Sequence, residues 1–184
     1  MNKSLLRKKI FKIKKKKFHK DLNINPNTFI EFLKLNKFNI KNIGGYYPSN
    51  YEIDDLSILE LLGRRNYRIA LPSIKKNYQM DFRKWSIQDP LKINKFGIPE
   101  PLISKIIYPD LLLVPLVAFD NRLNRLGYGG GFYDRYIEKI EKIEKIKKVI
   151  KIGLAFSFQK ISSVPINQFD KKLDFIITEK EILK

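Results

Sequence analysis

The sequence predicts one α/β domain over residues 1–184, a three-layer α/β/α sandwich with a mainly parallel, Rossmann-like central sheet. Three observations carry that reading. Apolar stretches of strand length alternate with amphipathic helical stretches, the order that places helices on both faces of a parallel sheet. The stretch "DLLLVPLVAF" at 110–119 is almost continuously apolar, as expected of a strand covered on both faces. Directly after it, four of the nine glycines fall within residues 127–131, ahead of a helical pattern.

The elements follow in order. "KSLLRKKIFKIKKKKF" places Leu5, Leu6, Ile10, Phe11, Ile13 and Phe18 at helical intervals with lysines between them. Pro26 opens a second helix, "NTFIEFLKLN", because its missing N–H is unpaired in a first turn anyway. "NIGGYY" reads as a strand stopped by Pro48, and "DDLSILELLGRR" as a helix with an acidic start and Gly63 as its stop. "YRIAL" is a strand and "YQMDFRKW" a shorter extended piece. Residues 89–109, with Pro90, Pro99, Pro101 and Pro109, read mostly as loop. After the glycines, "YDRYIEKIEKIEKIKKV" is a helix with an apolar stripe at Ile137, Ile140, Ile143 and Ile146. Its pairs Glu138–Lys142, Glu141–Lys145 and Glu144–Lys148 sit four apart in the favourable orientation. "VIKIGLAF" and "LDFIIT" close the sheet. No internal repeat or interdomain linker breaks the pattern.

Composition narrows the function. With 43% hydrophobic and 30% charged residues the chain is of the ordinary globular type. It has no cysteine, which removes disulfides, thiolate nucleophiles and cysteine-based zinc sites. The longest apolar run is about half of what a membrane span needs, and the N-terminus returns to lysine too often for a signal peptide, so a cytoplasmic protein is expected. The formal charge of +18 is concentrated at the start, where residues 1–20 hold ten Lys/Arg and no Asp/Glu. That arm would attract any polyanion. Yet Lys, Ile and Asn make up 70 of the 184 residues, and their codons can be written almost wholly in A and T. Base composition therefore accounts for a lysine-heavy surface without a specific nucleic-acid partner.

The stretch "RLGYGGGFYDRY", 125–136, is where chemistry concentrates. In a parallel sheet a loop between strand and helix lies where ligands bind. Glycines let backbone N–H groups approach an anion, and the next helix adds its positive end. Arg125 can supply paired donors to phosphate. From Gly127 the sixth position is Phe132, so the dinucleotide fingerprint is absent, and no Lys-Ser/Thr follows to make a P-loop. A tight turn needing positive φ is the bland alternative; nucleotide phosphate binding is the reading favoured by the flanking charges.

"VPLVAFDNRLNRLGYGGGFYDRYI" resembles the signature of the 5-formyltetrahydrofolate cyclo-ligase family, also called methenyltetrahydrofolate synthetases. Pro115, Ala118, Phe119, Asp120, Arg125, Leu126, Gly127, Gly129, Gly131, Phe132, Tyr133 and Asp134 stand in the family's order. "KSLLR", "YYPSNYEID", "FGIPEP" and "VPINQFDKKLDFIITE" extend the resemblance over nearly the whole chain. It implies ATP-dependent, Mg²⁺-assisted closure of 5-formyltetrahydrofolate to 5,10-methenyltetrahydrofolate through a phosphorylated formyl group, releasing ADP and phosphate. Two alternatives stay open at this point: an anion- or RNA-binding module using residues 1–20, and another phosphate-handling α/β enzyme such as a sugar-phosphate isomerase.

By this resemblance, ATP is held by Lys3, Ser4, Leu5, Leu6 and Arg7 together with Arg125, Leu126, Gly127, Tyr128, Gly129, Gly130, Gly131, Phe132 and Tyr133. Lys3 and Arg7 sit four apart, on one helix face. Arg125, Tyr133 and Asp134 are the expected catalytic residues, and Asp134 and Asp170 the expected Mg²⁺ ligands, since that hard ion takes carboxylate and phosphate oxygens. Tyr47 and Glu52 are expected at the folate, and Trp85, the one tryptophan, is expected there for its stacking ring. The family usually has histidine before the second aspartate, where this chain has Phe169, and often glycine at the position of Tyr51. His19 has no ligand or triad spacing around it and reads as a surface residue; Asp174 reads as structural. A monomer is expected, taking 5-formyltetrahydrofolate and ATP as small-molecule partners.

Overall fold

A computed structural model of the chain describes residues 2–19, 22–49, 51–102, 105–143 and 148–184. Its elements run α1 (Lys3–Lys17), α2 (Pro26–Leu35), β1 (Asn42–Gly44), α3 (Leu56–Arg64), β2 (Arg68–Ile74), β3 (Met80–Lys84), β4 (Leu91–Ile93), β5 (Pro99–Pro101), β6 (Leu111–Pro115), β7 (Ala118–Phe119), β8 (Arg125–Leu126), α4 (Phe132–Glu141), β9 (Ile150–Leu154), β10 (Phe175–Ile177) and β11 (Ile182–Leu183). The main sheet has seven strands in the order β11-β10-β9-β6-β1-β2-β3. Pairings among β10, β9, β6, β1 and β2 are all parallel, while β3 and β11 close the two edges antiparallel.

Alternation along the central strands explains the three layers. Leu111 and Leu113 join α2 and α3 in one buried cluster, whereas Leu112 and Val114 join α4 in the cluster on the other face. Side chains of period two on a strand with both faces covered give that division. A third cluster seats α1 on the chain's small second ribbon: Leu6 and Ile10 pack with Val117, Ala118 and Leu126. The α/β/α sandwich expected from the sequence is the fold observed.

Local signals account for most boundaries. The Asn25 side chain caps α2 and Pro26 is its first residue. Gly63 is not the stop of α3, which continues to Arg64; the left-handed residue beyond it is Asn66, at φ 67°. The apolar run at 110–119 is two strands rather than one. After Pro115 the chain leaves the sheet, and β7 pairs instead with β8 in an antiparallel ribbon. The proline-rich stretch expected as loop holds a further hairpin, β4 with β5, in which Pro99 and Pro101 flank Glu100 on a short strand. The last long helix stops at Glu141, far short of Val149, and turns through an Ile143 N–H to Ile140 carbonyl bond. Of its three expected ion pairs Glu138–Lys142 forms, at 2.9 Å; Glu144, Lys145 and Ile146 lie outside the described residues.

Candidate active site

The chain that leaves β6 builds the site in a few steps. The β7–β8 ribbon turns back on Asp120, whose carboxylate accepts the amides of Arg122, Asn124 and Val164. Burial pushes that carboxyl up, but the Val164 amide and the Asn124 side chain and amide outweigh it and hold it below the usual range. Asp120 is therefore an internal anchor. Beyond β8 come the glycines and then α4, whose first turn carries Asp134. Gly129 at φ 107° and Gly131 at φ 65° occupy backbone that L residues rarely adopt. The result is a loop whose amides, from Gly127 to Gly131, donate no hydrogen bond to any described residue. These amides sit before the positive end of α4, the arrangement that binds anions.

Cations from α1 reach the same loop. Arg7 Nε donates to the Gly127 carbonyl at 2.7 Å, and its guanidinium lies beside Gly129, where an added Cβ would stand 3.5 Å from it. Lys3 Nζ pairs with Asp170 at 2.5 Å. Of the neighbouring residues expected at ATP, Ser4 and Leu5 are exposed and Leu6 is buried in the α1 cluster. Among residues 3–7, Lys3 and Arg7 are the two that point to the site.

Arg125 differs from the expectation of a free phosphate ligand. It is buried, both terminal nitrogens donate to Asp134 Oδ1 at 2.9 Å, and one also donates to the Lys171 carbonyl at 2.8 Å. The Lys171 amide completes the set by donating to the same Asp134 oxygen. That contact brings Asp170, one residue earlier, to the corner of Asp134. Asp134 Oδ2 makes no hydrogen bond with a described residue, so it can take a cation. No group of three His, Asp or Glu residues gathers at one point among the described residues. The donor set thus suits an ion completed by phosphate oxygens, as Mg²⁺ commonly is. Phe169, in place of the family's histidine, is exposed.

Behind the loop lies a cluster of buried polar groups, on the chain that follows the carboxyl end of β1. Tyr47 is half-buried there. Glu52 accepts the Ser49 amide at 2.7 Å and interacts with the Tyr128 hydroxyl; burial raises its carboxyl, against the lowering pull of Ser49, Tyr128 and Lys14. Asp55 is fully buried, with Oδ2 accepting the Tyr46 amide at 3.0 Å and Oδ1 unpartnered among the described residues. Burial pushes it well above the usual carboxylate range. The Tyr133 hydroxyl is likewise buried without a described partner, and burial with the Asp55 and Glu52 charges keeps it protonated. Asp55 and Lys14 were not singled out in the sequence. Lys14 falls on the α1 stripe of Leu6 and Ile10, spaced i, i+4, i+8, and that spacing was its signal.

Trp85 is not brought to this place. It follows β3 and donates its amide to Ile69, near the start of β2, so it lies at the opposite end of the parallel strands, buried in the α2–α3 core. Its direction depends on β3 running antiparallel. A concavity lined by Asn42, Arg68, Lys84, Lys105 and residues 106–108 also opens at that far end.

A family model described as the 5-formyltetrahydrofolate cyclo-ligase family matches residues 2–179. The 5-formyltetrahydrofolate cyclo-ligase of Haemophilus influenzae is 36% identical over 141 residues, covering 72% of this chain and 73% of that protein. That of Mycoplasma pneumoniae is 29% identical over 188 residues, covering 98% and 100%. The solved structure of Aquifex aeolicus 5,10-methenyltetrahydrofolate synthetase matches with a TM-score of 0.79 at 29% identity, over 100% of this chain and 93% of that one. A match that runs through the glycine loop and nearly from end to end places this protein, an enzyme, in the 5-formyltetrahydrofolate cyclo-ligase family.

Proposed function

We propose that this chain closes 5-formyltetrahydrofolate to 5,10-methenyltetrahydrofolate at the expense of ATP, with the triphosphate on the glycine loop and the folate at the polar cluster behind it. One observation carries the reading: the run of unengaged amides at residues 127–131, framed by Lys3 and Arg7 and set before the N-terminus of α4. Preorganised donors of this kind stabilise charge as it develops on a transferred phosphoryl group.

The formyl oxygen takes the γ-phosphoryl group as the bond to ADP breaks, N10 then attacks the activated carbon, and phosphate departs with that oxygen while N10 loses its proton. Positioning does most of the work, and no protein nucleophile is needed. Lys3 and Arg7 neutralise the phosphates; Lys3 exchanges Asp170 for phosphate. Asp134 and Asp170 would hold Mg²⁺, whose bound form supplies charge neutralisation at the phosphates. Arg125 fixes the rotamer of Asp134 through its paired bonds and so acts by positioning. Glu52 accepts hydrogen bonds from donor groups of the pterin, with the half-buried Tyr47 near it in sequence. The protonated Tyr133 hydroxyl is a donor for the reacting oxygen.

Every group in this scheme comes from one chain, so a monomer is the unit proposed to act, in the cytoplasm. No helix among the described residues is long and apolar enough to cross a membrane. The test is turnover: protein, 5-formyltetrahydrofolate, ATP and Mg²⁺ should develop the near-ultraviolet absorbance of the methenyl product, and omitting ATP should abolish it. Folded protein that binds ATP yet forms no product would reject the proposal.

A further inference from the structure

Lys14 is the one lysine of α1 that a lysine-rich surface does not explain. It is fully buried on the inner stripe of the helix, between Leu6 and Ile10 on one side and the end of α1 on the other. Its ammonium has no carboxylate within ion-pair distance among the described residues. Instead Nζ donates to the Tyr128 hydroxyl at 3.1 Å and lies 5.5 Å from that ring's centre and 5.9 Å from the centre of Phe11. Tyr128 belongs to the glycine loop, and its hydroxyl interacts with the Glu52 carboxyl.

From this geometry we propose that Lys14 acts through the Tyr128 hydroxyl to keep the Glu52 carboxyl ionised, and so sets the pH below which the enzyme loses its folate. The second half rests on the reading of Glu52 as a folate contact. A tyrosine hydroxyl can accept a bond from an ammonium while donating its proton to a carboxylate, so the charge on one end favours the charge on the other. Around Glu52 the other polar and titratable groups pull differently. The Ser49 amide and hydroxyl also favour the ionised form, whereas Asp55 at the start of α3, with Tyr46 and Tyr133, shares the same buried space and gains from a neutral Glu52. Burial itself favours the neutral acid. Among the described residues Lys14 is the cation that opposes these effects, and it is still protonated where a carboxyl titrates, since burial lowers it only to about 8.

The direction of the effect follows. Removing the Lys14 charge makes Glu52 harder to ionise, so its titration moves to higher pH and folate binding fails earlier on acidification. The Lys14 charge acts on a buried carboxyl across one intervening hydroxyl, so a shift of about one pH unit, tenfold in affinity at a pH on the acid side, is expected.

The coupling is read first without substrate. Carbon-13 NMR of carboxyl-labelled glutamate, with the Glu52 signal assigned by its loss in Glu52→Gln, should show the Glu52 midpoint about one unit higher in Lys14→Met than in wild type. Lys16→Met, which removes an exposed lysine of the same helix, should leave it in place. An unmoved midpoint in Lys14→Met overturns the proposal. Kinetics then read the functional half. In Lys14→Met the acid limb of kcat/KM for 5-formyltetrahydrofolate should move up by the same amount, with KM for ATP within about twofold of wild type. In a Glu52→Gln background the Lys14→Met change should add nothing. An equal loss at every pH, or an undiminished effect of Lys14→Met in the Glu52→Gln background, overturns it. A raised midpoint beside an unchanged folate KM instead tells against Glu52 as a folate contact, so the two failures are separable.

Discussion

Replacing Lys14 by methionine should make the protein more stable near neutral pH even as it weakens the enzyme. The magnitude comes from the buried ammonium. Burial lowers Lys14 from 10.5 to about 8, and a difference of that size corresponds to roughly 3 kcal/mol of folding free energy. The sign follows from the direction: the folded value is depressed, so holding the charge costs stability below about pH 8, and that cost vanishes above the unfolded value. Methionine fills a similar volume without charge. It gives up the bond to the Tyr128 hydroxyl, worth about 1 kcal/mol. A net gain of about 2 kcal/mol remains, or about 4–8 °C in midpoint temperature for a chain of this size. Thermal unfolding of both proteins from pH 6 to pH 10.5 is the assay. The difference should be largest at pH 6–7 and fade between pH 8 and 10.5. A variant less stable than wild type at pH 7, or a difference indifferent to pH, would refute the claim that this ammonium is held against its desolvation cost.

Three further outcomes follow from the same geometry. Asp55→Asn keeps an oxygen for the Tyr46 amide and removes a carboxyl that burial pushes far up, whose contribution is lost as pH rises through its folded value; the variant should gain about 1–3 kcal/mol at pH 8 and nothing at pH 3, read by urea unfolding. Gly129→Ala places a Cβ at φ 107° beside Arg7 and should cost about 1–3 kcal/mol and raise KM for ATP, whereas Gly127→Ala meets no atom within 4 Å and should leave unfolding nearly unchanged. Arg125→Met strands Asp134 and the Lys171 carbonyl without their buried partner and should cost about 3–5 kcal/mol together with turnover, while Arg125→Lys, lacking the fork, should not restore either.

Much of this fold could be read directly from the chain because its signals are local. The apolar run before the glycines, Pro26 after Asn25 and the alternation of strand and helix each act within a few residues. What escaped depends on partners distant in sequence. Nothing local says that Ala118–Phe119 should leave the sheet to pair with Arg125–Leu126, or that Pro99 and Pro101 can border a hairpin strand. The aromatic ring of Trp85 points to the folate on sequence alone, but the antiparallel course of β3 carries it to the far end of the sheet. The charge of Arg125 beside the glycines points to phosphate, but the structure commits that charge to Asp134. Lys14 was hidden among nine other cations of residues 1–20, and only the packing of α1 on the ribbon separates it from them. The isomerase alternative gave way because the family match runs over residues 2–179, the glycine loop included.

The central claim is that the bare amides of the glycine loop hold the triphosphate. Amide chemical shifts of nitrogen-15 labelled protein, recorded as ATP and Mg²⁺ are added, test it most directly. The signals of Gly127, Gly129, Gly130 and Gly131 should move downfield with saturation, while Gly97 in the β4–β5 hairpin and Gly153 in β9 stay where they are. Saturable shifts confined to the exposed lysine face of α1, with the loop glycines unmoved, would contradict it.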